Sequence, residues 1–162
     1  MPKTYEPIQT TTLGSNQATV TFSTIPQTYT DLILIIAGTI TSGGLDMFVK
    51  INSDTGSNYS YTQLYGTGST AASSRASSQS IASVGAISIT QSNAILHFMN
   101  YSNSTTYKTI LSRANRSDAV VALYCNLWRS TASISSIEIS SGNPAGTFVS
   151  GSTFTLYGVK SA

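Results

Sequence analysis

Ala18-Thr19-Val20-Thr21-Phe22-Ser23 alternates apolar and hydroxyl side chains one residue at a time. That two-residue period marks a strand with one face buried and the other wet. The signal recurs along the chain. Leu45, Met47, Val49 and Ile51 alternate with Asp46, Phe48 and Lys50, and Ile87 and Ile89 alternate with serine. The run 32–36 is continuous, apolar and rich in β-branched residues, which predicts a strand buried on both faces. Runs 95–101 and 107–113 flank the polar turn Ser102-Asn103-Ser104-Thr105, and run 120–128 is long and apolar. Ile134, then Ile137 with Ile139, change phase across Ser135-Ser136, which predicts a bulge. Phe154, Leu156 and Gly158 close the pattern.

Turn chemistry separates these runs. Ser42-Gly43-Gly44 favours a hairpin, since glycine takes positive φ without steric cost. Asp54-Thr55-Gly56, Gly66-Thr67-Gly68 and Gly142-Asn143-Pro144 are further breaks. No helical stripe of useful length competes. The serine-rich stretch 71–80 has poor helix propensity and reads as a loop or a polar edge strand. Eight to ten short strands at this spacing predict an all-β, single-domain antiparallel β-sandwich of jelly-roll type. Residues 1–14 read as an extended N-terminal arm and residues 15–162 as the sandwich.

Composition bounds the function. The 162 residues suit one domain, with a core large enough to hide about two-thirds of the unfolded surface. Charged residues are 9% of the chain, and eight basic against six acidic side chains leave a net charge of +2. No basic footprint for nucleic acid is present. Ser and Thr supply 51 of the 162 residues, replacing the usual charged surface with neutral hydroxyls. Such a surface repels its neighbours weakly and suits life inside an assembly. Met1-Pro2-Lys3-Thr4 leads straight into polar sequence, so no secretory leader is expected, and the longest apolar run is far too short to span a membrane.

The residues that carry chemistry are few. His97 sits in a strand between Leu96 and Phe98, where a hydrogen-bonded structural role is the expectation. Cys125 lies in an apolar run and reads as a buried, inert thiol with no disulfide partner. One His and one Cys cannot build a zinc site within one chain; only a histidine on a symmetry axis would let copies share a metal. The segment 52–58 has oxygen side chains at alternate positions, like a calcium loop. It has one carboxylate, Asp54, and lacks the closing glutamate, so an Asx-type turn is expected. Glu6, Asp31, Asp46, Asp54, Asp118 and Glu138 form no pair that flags general acid–base work. No catalytic residue, metal site or cofactor is expected. Four glycosylation sequons, at Asn58, Asn100, Asn103 and Asn115, follow by chance from the Ser and Thr content.

Binding is the better prospect. Tyr59, Tyr61 and Tyr65 surround one turn, and Tyr101 and Tyr107 flank another, in the composition of adaptable binding loops. Arg113, Arg116 and Arg129 lie on or beside strands and suit either an acidic partner or an edge guarded against strand pairing. In the arm, Tyr5, Ile8 and Leu13 are candidates to pair with a neighbour's sheet edge. The candidate partner-binding set is therefore Tyr5, Ile8, Leu13, Tyr59, Tyr61, Tyr101, Arg113 and Arg116.

Several motifs occur together in order. They include Met1-Pro2-Lys3-Thr4-Tyr5-Glu6-Pro7-Ile8, Val20-Thr21-Phe22-Ser23, Tyr29-Thr30-Asp31-Leu32 and Asp54-Thr55-Gly56-Ser57-Asn58-Tyr59. Met99-Asn100-Tyr101-Ser102-Asn103, Leu127-Trp128-Arg129-Ser130-Thr131 and Gly151-Ser152-Thr153-Phe154-Thr155-Leu156-Tyr157-Gly158 complete them. With these the chain resembles a family of small tailed-bacteriophage virion proteins common in aquatic phages. The likeness covers nearly the full length and is weakest over residues 66–93. It implies a location in the particle, as a head-decorating or tail-fibre-like protein, and carries over no catalytic residues. The expected function is a capsid decoration, or cement, protein that binds the major capsid protein as a homo-oligomer, with a trimer favoured. The alternative is a tail-fibre or receptor-binding module that joins tail proteins and holds host glycan or protein through its tyrosine loops.

Overall fold

The computed structural model describes residues 4–142 and 146–160, and of Leu45 the backbone only. Twelve antiparallel strands among the described residues form two sheets. The larger runs in the order β1 (Tyr5–Thr12), β12 (Thr153–Val159), β3 (Asp31–Gly38), β8 (Ser92–Met99), β9 (Lys108–Arg116), β10 (Val120–Trp128), β5 (Tyr59–Gly66) and β6 (Ala71–Gln79). The smaller runs β2 (Thr19–Phe22), β11 (Ile137–Ser141), β4 (Leu45–Ile51) and β7 (Ala82–Ile87).

The pairs are nested: β1 with β12, β2 with β11, β3 with β8 and β4 with β7. A chain doubled into one long hairpin and then rolled gives this nesting, which is the jelly roll expected from the sequence. Two inserted hairpins, β5–β6 and β9–β10, extend the larger sheet beyond β8. The core lies between the sheets. Phe22, Leu32, Leu34, Ile36, Val49, Ile51, Leu96, Phe98, Ile137, Ile139, Phe154 and Leu156 fill it from alternate strand positions.

Strand β7 seats the small sheet on the large one. All six of its residues are buried, and only β4 pairs with it. Side chains of the large sheet supply partners to two of its carbonyls. Asn126 Nδ2 donates to the Ser83 carbonyl at 2.8 Å, and the Ser112 hydroxyl donates to the Val84 carbonyl. Close approach needs small residues here: Gly85 has φ +147°, and a Cβ added to it would collide with the Ala114 methyl.

Twelve strands are found among the described residues where eight to ten were expected, and Ser42-Gly43-Gly44 carries the chain from β3 in one sheet to β4 in the other instead of closing a hairpin. Four further expectations need correction. Run 32–36 is not buried on both faces: Leu32, Leu34 and Ile36 are buried, but Ile33 is half-buried and Ile35 exposed. The residues read as an arm over 1–14 lie, from Tyr5 to Thr12, in β1, whose main chain pairs with β12 of the same chain. A register shift between Pro7 and Gln9 accompanies the packing of Ile8 against the core, and Leu13 is buried in it. The apolar residues thus tie the segment to its own sandwich; residues 1–3 lie outside the described ones. The phase change at Ser135-Ser136 is not a bulge within a strand. Both backbone N–H groups donate to Asn52 Oδ1, at 2.9 and 3.0 Å, and β11 starts after them. Finally, Cys125 is exposed, because Tyr124, Asn126 and Trp128 occupy the inner positions of β10.

The β7 contact can be tested by substitution. Gly85→Ala should destabilise the fold by roughly 2–4 kcal/mol, through overpacking and a strained φ. Ser112→Ala should cost about 1–3 kcal/mol by orphaning the Val84 carbonyl. Urea unfolding measures both, and midpoints equal to that of the parent chain would refute the account of β7.

Candidate functional site

The small sheet covers the inner face of the central strands of the large sheet; among the described residues nothing covers the outer face. Strand register defines what this face presents. One row crosses it as Ile35, Ile95, Arg113, Leu123, Leu64 and Ser73. The next row is Ile33, His97, Leu111, Cys125, Thr62 and Arg75. Ile35, Leu64, Leu111, Val121 and Leu123 are all exposed, Val121 to 63% and Leu64 to 56%. Scattered exposed apolar residues are ordinary, but a contiguous patch of them marks an interaction surface. The face is hollowed over Ile95, Arg113, Leu123, Val121 and Leu64 into an open groove of about 910 Å³.

Charge on this face is sparse and one-sided. Arg113 is exposed and flanked directly across the ladder by Ile95 on β8 and Leu123 on β10. Arg75 and Arg129 lie towards the β5–β6 side, where Arg129 donates to the Ser60 hydroxyl at 3.0 Å. None of the three has an ion-pair partner among the described residues. The one carboxylate that strand alternation places on the outer face of β3 and its ladder partners is Asp31. It is committed: Oδ2 lies 2.9 Å from His97 Nε2, and Oδ1 accepts the Asn100 N–H at 2.6 Å. His97 is therefore hydrogen-bonded, as expected of it.

The sequence candidates divide. Tyr5 and Arg113 share the outer face, four strands apart. Arg116 is turned away from that face, and its Nε donates to Asp118 at 3.0 Å. Tyr59, Tyr101 and Leu13 are buried in the core, out of a partner's reach, and Ile8 is half-buried against it. The Tyr101 hydroxyl donates to the Pro26 carbonyl, and the Tyr59 hydroxyl accepts the Ile51 N–H at 3.0 Å. Tyr61 is half-buried against the Tyr124 ring, with centroids 6.0 Å apart. Both loops gather round buried rings because a large ring with one polar tip fills a sandwich end while its hydroxyl caps loose backbone.

Segment 52–58 is an Asx-type turn. Asp54 Oδ1 accepts the Gly56 N–H at 2.8 Å, and Oδ2 accepts from Asn58 Nδ2 at 2.9 Å and Trp128 Nε1 at 2.7 Å. Burial pushes the carboxyl pKa up, but the bonds from Trp128, Asn58 and Gly56 outweigh it and hold the group below its ordinary value. Among the described residues no three His, Cys, Asp or Glu side chains gather as a metal set.

Sequence reasoning missed the apolar outer positions Ile33, Ile95, Leu111, Leu123 and Leu64. Their signal was present. Runs 32–36 and 120–123 are apolar at both parities, which in an antiparallel sheet calls for cover on the second face. No protein-family model matches the chain, and no curated protein matches it.

Burial raises the phenols of Tyr59 and Tyr124 to about 12 from the ordinary 10.0. The unfolded chain therefore loses these protons first. Their contribution to stability is complete below pH 10 and is lost as the pH climbs towards 12. Burial raises Tyr29 and Tyr101 as well, so Lys108, whose desolvation lowers its pKa and acts in the opposite sense, is one group against four. Fluorescence of Trp128 should report cooperative unfolding in that window, with phenolate absorbance rising in step. Tyr59 and Tyr124 ionising near pH 10 in a still-folded chain would contradict this.

Proposed function

We propose that the chain is a virion structural protein that decorates and cements a capsid shell. The observation that carries this reading is the outer face of the large sheet, which the described residues leave open and which bears an exposed apolar patch of Ile35, Leu64, Leu111, Val121 and Leu123 round Arg113. Catalysis needs a convergent set of titratable groups; His97 and Asp31 pair at 2.9 Å, and among the described residues no third His, Cys, Asp or Glu gathers with them. The low charge and abundant hydroxyls suit a chain packed against others. The likeness to phage virion proteins in the motifs quoted above supports the same setting.

The mechanism is passive. A rigid sandwich that binds only the assembled shell stabilises that state by its own binding free energy. The bound form proposed is a homo-oligomer, with a trimer matching local three-fold positions of a shell. Docking runs through the sheet face rather than through a swapped arm, since β1 already completes its own sheet. The tail-fibre alternative held ligand with the tyrosine loops, and two of those rings, Tyr59 and Tyr101, are enclosed in the core.

Copy number in purified particles tests the reading. Quantitative mass spectrometry should find the chain on the order of hundreds of times per particle, as shell symmetry multiplies a surface site. About a dozen copies would point to the tail, and absence from the particle would end the proposal.

A further inference from the structure

The outer face of the large sheet also says what kind of partner fits it, an inference that rests on the docking function proposed above. Eight strands about 4.8 Å apart and about seven residues long make a face on the order of 900 Å². A stable protein interface buries about 800 Å² on each side, so this one face is large enough by itself. Its centre is Arg113, exposed, with Ile95 and Leu123 beside it across the ladder and Leu111 next along the same face of β9. In the free chain water solvates that guanidinium. Under a docked surface the water leaves, and a buried cation without an acceptor opposes binding strongly. An arginine ringed by apolar side chains is also the arrangement that carries most binding energy at interface centres.

We infer that the face docks on a different protein, one that sets a carboxylate against Arg113 within an apolar surround. A second copy of this chain does not meet that need. Stacking two outer faces brings together two sets of Arg75, Arg113 and Arg129. Among the described residues the carboxylates that strand alternation places on the two faces are the two copies of Asp31, each already held by His97 and the Asn100 N–H. Like charges meeting across an interface suppress that pairing. A partner with an Asp or Glu forms a bidentate, charge-assisted pair with the guanidinium instead.

The test uses purified particles stripped of the chain and then supplied with purified protein. The parent chain should rebind, less tightly as salt rises. Arg113→Glu and Leu123→Asp should each weaken rebinding by about 100-fold, the scale of losing a buried interface anchor. Thr19→Asp, on the exposed side of the small sheet, should leave rebinding unchanged. Urea midpoints equal to that of the parent chain show that the variants fold. Arg113→Lys keeps the charge, and carbodiimide treatment of particles carrying it should join the lysine amine to a carboxylate of another particle protein, with loss of water.

The outcomes separate. A parent chain that does not rebind removes the decoration reading and this inference with it. A parent chain that rebinds while Arg113→Glu and Leu123→Asp rebind equally well overturns the inference alone. So does an amide link from position 113 to a second copy, or a sedimenting dimer of the isolated chain that Leu123→Asp splits.

Discussion

Strand β7 has a pairing partner on one side only, yet it is buried along its whole length. A buried strand edge costs free energy unless each polar group finds a partner. Asn126 and Ser112 reach up from the large sheet and donate to the Ser83 and Val84 carbonyls, while Gly85 over Ala114 removes the bulk that would hold the layers apart. Everything else about the architecture follows from this seat. Because β7 lies over β9 and β10, the inner faces of those strands are covered, and the large sheet can grow past the ordinary limit of the roll. Asn126 Oδ1 is buried at this junction with no protein partner among the described residues.

Growth of the sheet creates the outer face. The four-stranded sheet covers one side, and its size limits the core to that side. The opposite face collects every other residue of the central strands, among them Ile33 and Ile35 of β3, Ile95 and Met99 of β8, and Val121, Leu123 and Leu127 of β10. The free edges are treated differently. β1 carries Pro7, a register shift and the Glu6–Lys160 pair at 3.0 Å, all of which blunt strand addition. β6 is a serine and alanine strand exposed on nearly every residue, with Arg75 as its only charge. The surface chemistry thus concentrates attraction on a face rather than on the edges, which favours docking flat against a partner.

Much of the fold was legible because strand alternation is a local property. Val20 and Phe22, or Met47 and Val49, declare their face from their spacing alone, and both pairs are buried. The Asx-type turn at Asp54 was legible for the same reason, since its Gly56 and Asn58 partners lie within four residues. Less legible were β1 and β6, whose sequences lack apolar alternation and which exist because a neighbouring strand offers main-chain bonds. The aromatic loops misled more. Nothing local distinguishes Tyr59, enclosed against Trp128 with rings stacked 6.4 Å apart, from Tyr107, which is open to water.

By itself the sequence determined an all-β chain, its jelly-roll class, its low charge and the lack of a local catalytic motif. These rest on spacing and composition, which need no long-range contact. Only the tertiary structure decided which parity of each two-sided apolar run faces inward. In run 32–36 either set of positions has enough hydrophobic area to enter the core. The choice is made by register with β8 and β12 and by where the small sheet has room to cover. That choice sends Leu34 inside and Ile35 outside, hides Tyr59 and Tyr101, exposes Cys125, and places Arg113 alone at the centre of the open face.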